Sequence, residues 1–67
     1  MKNTQETELG CICPVCGKAW LEWFEFCEHC DWQNDRYQMY HPDAEGCANN
    51  MSLNQAKEAY AKGEPIH

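Results

Sequence analysis

Two Cys-x-x-Cys pairs separated by ten residues, Cys13-Pro-Val-Cys16 and Cys27-Glu-His-Cys30, constrain the fold of this chain more than any other feature. Each pair can close a tight knuckle with both sulfurs on one side. Backbone N–H groups inside the turn then donate to the first sulfur and offset thiolate charge. Pro14 stiffens the first turn, and Gly17 supplies the left-handed backbone that a chain leaving such a knuckle often requires. Two knuckles brought face to face make a tetrahedron of four sulfurs, which suits Zn2+ or, in a rubredoxin-like cage, iron. Cys13, Cys16, Cys27 and Cys30 are therefore expected to hold one metal ion per chain, zinc before iron.

The chain needs such a staple. Its 67 residues make one domain at most, too short to offset the entropy of ordering its backbone by apolar burial alone. It is nonetheless not composed like a disordered chain: 43% is hydrophobic, with three Trp, three Tyr and two Phe available for packing. The opening residues, MKNTQETE, carry no apolar run of a signal peptide, and no membrane-length apolar stretch follows. The expected setting is cytoplasmic and reducing, where paired cysteines bind metal more often than they form disulfides. A redox dithiol is the catalytic alternative. Against it stand the proline in the first knuckle, the duplication of the pair, and a chain too short for a thioredoxin-type fold.

The remaining candidate ligands are set aside on position. Cys11 could compete for the metal through a C-x-C-x-x-C arrangement, but a small, partly buried thiol is the favoured reading. Cys47 lies in a loop and is expected to plug the space under a helix. His29 sits between two ligands and should point outward; His41 precedes a proline and His67 is the last residue, so none has ligand spacing.

Along the chain we expect a flexible lead-in over 1–10, a single zinc-binding domain with four cysteine ligands over 11–63, and a frayed end over 64–67. SLNQAKEAYAKG is a helix with Ser52 as N-cap and Gln55 completing a capping box. Leu53, Ala56 and Tyr60 share one face with Ala59 beside them, Glu58 and Lys62 form an i,i+4 pair, and Gly63 can close the C-terminus. So short a helix is marginal alone, and its apolar face must dock on the cysteine half. HPDAEGCANN reads as loop. KAWLEWFEF, between the cysteine pairs, reads as a short irregular β-hairpin turning near Leu21–Trp23. The fold class is a small, metal-stabilised, zinc-ribbon-like domain: two knuckles, a short hairpin and one C-terminal helix.

The quoted segments CPVCG, FCEHCDWQND, HPD and GCANNMSLNQAKEAYAKG together resemble the bacterial cysteine-rich CPCC family. Its members look like C-P-C-C-G, then I-C-P-x-C-F-W-E-D-D after an aromatic residue, then G-G-A-N-x-x-S-L-N-E-A. The resemblance runs from about Cys13 to Gly63, and its most specific parts are Trp32–Asp35 and Ala48–Ala56. It implies Cys13, Cys16, Cys27 and Cys30 as the metal ligands. Val15 stands where the family's middle cysteine would be, the segment between the pairs is shorter, and Cys47 replaces a glycine. The shared Asn49, Ser52 and Asn54 imply a loop-to-helix junction built from side-chain hydrogen bonds. The resemblance bears on fold and metal, not on activity.

Charge narrows the function. Five Lys and Arg stand against eleven Asp and Glu, for a net −6, and the basic residues are dispersed. Such a surface is repelled by phosphate backbones and anionic membranes, so neither nucleic acid nor membrane is an expected partner. There is no Ser/His/Asp set, phosphate-binding glycine loop or paired-carboxylate signature, and no enzyme activity is expected. By elimination, the favoured reading is a cytosolic protein–protein interaction module: a small adaptor, inhibitor or accessory subunit with a structural tetracysteine zinc. Its surface is placed at Trp32, Asp35, Tyr37 and Tyr40, aromatics with a polar rim. A rubredoxin-like iron electron carrier is the alternative, and a nucleic-acid-binding zinc ribbon the third reading.

Overall fold

A computed structural model describes residues 6–67. The elements run β1 (Gly10–Ile12), β2 (Trp20–Glu22), α1 (Arg36–Tyr40) and α2 (Leu53–Lys62). β1 and β2 form an antiparallel pair with Gly10 opposite Glu22, Cys11 opposite Leu21 and Ile12 opposite Trp20.

The hairpin therefore lies elsewhere than expected. Its two strands flank the first knuckle instead of joining the two knuckles, and Leu21 sits inside β2, not at a turn. The reason is local hydrogen bonding. The Cys13 N–H donates to the Ala19 carbonyl at 2.8 Å, so the knuckle itself is the tip of the ribbon. The second knuckle has a reduced version of the same support, a single antiparallel bridge between Phe26 and Gln33. The chain turns between the two ribbons at residues 22–25, closed by the Glu25 N–H on the Glu22 carbonyl at 3.1 Å.

Gly10 is part of this framework rather than of a flexible lead-in. It is buried in β1, and a Cβ there would collide with the Leu21 carbonyl oxygen, so only glycine permits the approach. Residues 1–5 of the expected lead-in fall outside the described residues.

α2 forms where the sequence predicts it. Ser52 accepts from the Gln55 N–H at 3.1 Å while Gln55 accepts from the Ser52 N–H at 2.8 Å, and Gly63 adopts a left-handed φ of 72° at the C-cap. Leu53, Ala56 and Ala59 are buried in one cluster with Cys13, Cys27, Cys30, Leu21, Trp32 and Ile66. Tyr60 is only half-buried at the margin, where Lys18 lies over its ring. The helix thus packs directly on the cysteine half, which supplies the tertiary contact a ten-residue helix needs.

Two further departures concern the ends of elements. α1 is an addition to the one expected helix; it is a single short helix whose N-cap, Asp35, accepts from the Tyr37 and Gln38 N–H groups. The expected fraying over 64–67 is also corrected. Ile66 is in the core, and the His67 carbonyl accepts from the Met51 N–H at 3.1 Å, because α2 ends in a turn that folds the last residues back onto the molecule.

Candidate metal centre

The sulfurs of Cys13, Cys16, Cys27 and Cys30 all lie within 4.8 Å of one another. Sγ–Sγ distances of 3.6 Å link Cys13 to Cys30 and Cys16 to Cys27, pairing each knuckle with the other. A tetrahedral ion with Zn–S bonds of about 2.3 Å sets its sulfurs roughly 3.8 Å apart, so the four thiols are gathered closely enough that they could hold one metal ion. The knuckle backbones are oriented for it. N–H groups of Val15 and Cys16 donate to the Cys13 sulfur, those of His29 and Cys30 to Cys27, and that of Trp32 to Cys30.

With thiols alone the cluster is electrostatically awkward. Burial pushes Cys13 up to about 11 and moves Cys30 further in the same direction. Burial also raises Cys27, but the His29 and Cys30 N–H groups outweigh it and hold that thiol below its ordinary value. Four crowded sulfurs cannot all ionise without a cation between them. A dication would offset half of the thiolate charge and cross-link both halves of the chain, and the donor set of four sulfurs fits it.

The model of the cysteine-rich CPCC family matches residues 11–63, most of the chain. The chain belongs to this family. No curated protein matches it. In this CPCC domain the four-sulfur cluster is complete with Val15 at the middle position of the first knuckle, where its side chain packs against the core.

Cys11 stays out of the cluster. It is fully buried, with its thiol 3.6 Å from Asn34 Oδ1 and 3.5 Å from Met39 Sδ, and burial raises its pKa. Cys47 is corrected: it is exposed in the loop after α1, with its thiol on the Glu45 carbonyl, and plugs nothing under α2. His29, His41 and His67 are exposed, and His41 stacks on Tyr37 at 4.3 Å between centroids.

The expected interaction surface divides. Trp32 is wholly buried in the cluster that contains the thiols, and its indole N–H is the only buried side-chain donor or acceptor among the described residues without a partner. Asp35 is 5% exposed; one oxygen caps α1 and the other accepts from the Ala48 N–H at 3.0 Å. Both are used by the fold and cannot present themselves to a partner. Tyr37 and Tyr40 are exposed at 57% and 56%. Tyr40 hydrogen-bonds Glu6, which also pairs with Arg36 at 3.1 Å, and Arg36 lies over the Trp23 ring.

The hydrogen-bonded junction expected at Asn49 is present, but its partners Gln33 and Gln38, and the buried Asn34 beside them, are missed by the sequence reading. The Asn49 side chain donates to the Gln33 carbonyl at 2.8 Å and accepts from the Gln33 N–H at 2.9 Å, imitating a strand partner. Asn34, fully buried, donates to the Leu21 and Glu22 carbonyls, and Gln38 binds the Ala44, Asn49 and Met51 carbonyls. The two most family-specific tracts, Trp32–Asp35 and Ala48–Ala56, therefore meet in space. That coincidence is the signal that could have found Gln33 and Asn34.

Proposed function

We propose that this CPCC domain is a cytoplasmic protein–protein interaction module, an adaptor, inhibitor or accessory subunit, in which a structural zinc on the four cysteines holds the fold. No catalytic role is assigned to any residue. The observation that carries the reading is the division of labour among side chains. The thiols, Trp32 and the buried amides are consumed by the fold, whereas Tyr37 and Tyr40 project from α1 as exposed aromatics on an acidic domain. Aromatic anchors with a polar rim are typical of interfaces, and dispersed lysines give a nucleic acid little to bind. Zinc is favoured over iron because it binds such sites without redox chemistry.

The experiment is capture of partners from the native host with the metal-loaded protein, compared with the Tyr37→Ala/Tyr40→Ala variant. The variant should keep its metal and fold and lose most of the capture. Undiminished capture would remove these tyrosines from the interface. Micromolar RNA or DNA binding at physiological salt would replace the reading with the nucleic-acid ribbon.

One observation favours the iron carrier as second reading. Cys16 is only half-buried, unlike Cys13, Cys27 and Cys30, so the cluster comes nearest the surface at this residue, where an electron exit would lie. Elemental analysis decides: a red preparation with reversible one-electron reduction would promote it, and a colourless zinc protein would remove it.

A further inference from the structure

Phe24 departs from two ordinary preferences at once. Its φ is 69°, and its side chain is 59% exposed. It occupies the third position of the turn over residues 22–25, where a left-handed backbone is normally supplied by glycine or asparagine. A bulky residue is an outlier in that region. Most of the residue nonetheless stays in solvent. The conformation is not slack: the Phe24 N–H donates to the Asn34 carbonyl at 2.6 Å, and the Phe24 carbonyl accepts from Gln33 Nε2 at 3.1 Å. Strain held in place by its surroundings tends to mark functional positions.

Phe26, two residues on, is 63% exposed. It borders a hollow of about 380 Å³ whose other walls include Asp31, Gln33 and Ile66. Glu22, Glu25 and Glu28 alternate with these rings and are all exposed. None of the three has a cationic partner among the described residues, where the two ion pairs are Arg36–Glu6 and Lys62–Glu58. Between Lys18 and Arg36 the chain holds no lysine or arginine, and Arg36 is already engaged by Glu6 and the Trp23 ring.

We propose that Phe24 and Phe26, with Glu22, Glu25 and Glu28, form a docking surface for a basic segment of another protein. Charge complementarity selects the occupant. Arginine side chains can stack on the phenyl faces while their guanidinium groups meet the carboxylates. A second copy of this chain would bring the same glutamates against one another, and phosphate or anionic lipid would be repelled. The proposal rests on the protein-interaction reading but moves its centre from α1 to the turn between the knuckle ribbons.

The test is a titration of isotope-labelled, metal-loaded protein with a synthetic peptide alternating arginine and leucine, monitored by amide shifts. A matched peptide with glutamate in place of arginine is the control. Shifts should concentrate at residues 22–28 and 31–33, weaken as salt is raised, and be absent with the control. Phe24→Gly should weaken binding by about tenfold or more, as loss of a central anchor does. Its unfolding temperature should not fall, since glycine suits the backbone. The exposed Glu28→Lys should weaken binding while the free protein keeps its native amide dispersion, with shifts confined to the neighbours of residue 28, so the test survives even if Phe24→Gly fails to fold. Shifts at Tyr37 and Tyr40 instead would overturn this surface and leave the interaction reading standing. No shifts at millimolar peptide, or unchanged affinity in both variants, would overturn the proposal. Shifts at Phe24 that follow protein concentration without peptide would assign the surface to a second copy and overturn it too.

Discussion

In the first knuckle the Gly17 N–H returns to the Cys13 carbonyl at 2.9 Å; in the second the Asp31 N–H returns to the Cys27 carbonyl at 2.8 Å. Gly17 has a φ of 71° and Asp31 of 68°, so the two turns exit alike. Their supports differ. The first stands on the paired strands β1 and β2, the second on one bridge, Phe26–Gln33, backed by the Asn49 side chain. Their solvent exposure differs as well, since Cys16 is half-buried and its counterpart Cys30 is buried. The backbone of a knuckle is dictated by the need to aim N–H groups at a sulfur. The arms that carry it are free to be built from strands or from side-chain amides.

Removing one sulfur from either knuckle should have the largest effect. Structural zinc contributes on the order of 10 kcal/mol to a minimal domain, more than the net stability of a small core. Cys16→Ser and Cys27→Ser should both leave largely unfolded chains, as should a chelator, with collapse of amide dispersion as the readout. A folded Cys16→Ser protein would show that the half-buried sulfur is dispensable and the knuckles unequal in kind. Acid should act in the same direction. In the metal-free protein burial pushes Cys13 up to about 11 and raises Cys30 further, so both keep their protons at neutral pH and the metal must displace them. Metal affinity in a chelator competition should therefore rise with pH and fall toward acid.

A smaller effect sharpens the difference between the arms. Asn49→Ala strips the second ribbon of its surrogate strand partner and leaves the Gln33 N–H and carbonyl without Asn49. Stability should drop by about 1–2 kcal/mol, the cost of part-buried polar groups left without a protein partner, in a denaturant titration of the metal-loaded form. A loss within about 0.5 kcal/mol would mean that water replaces the amide and that the bridge supports the knuckle unaided.

The smallest effects should carry opposite signs. Gly17→Ala meets open space, so its cost is the left-handed backbone alone, about 1 kcal/mol. Asp31→Gly relieves the same strain in the second knuckle and should stabilise by a similar ~1 kcal/mol. Thermal unfolding of the two variants, both metal-loaded, checks the pair. Equal signs would show that the two exits are not equivalent despite matching φ.

The four thiols and the capped helix are legible in the sequence because both are encoded by local spacing. Cys-x-x-Cys and Ser52-x-x-Gln55 each declare their geometry within one turn of chain. The hairpin is misplaced by the sequence because alternating aromatics in KAWLEWFEF resemble two strands, whereas the partner of β2 lies before the first knuckle and is signalled chiefly by Gly10. Trp32 and Asp35 read as surface because an aromatic beside a carboxylate looks the same in sequence whether it caps and packs or waits for a partner. Only long-range bonds, such as Asp35 to Ala48, tell these apart. Ile66 is silent in the sequence because nothing in its neighbours announces that the chain folds back.

The buried amide of Gln38 has one more consequence. Through bonds of 3.0 Å to Ala44, 3.3 Å to Asn49 and 3.0 Å to Met51, a single side chain gathers three carbonyls of a segment that has no regular structure. Its own oxygen accepts from the Asn49 N–H. Exchange of backbone protons with heavy water follows cooperative opening and not the presence of helix or strand. The Asn49 amide, in a segment that looks like ordinary loop, should thus keep its proton as long as the hydrogen-bonded amides of α2, while the neighbouring exposed amides lose theirs at once.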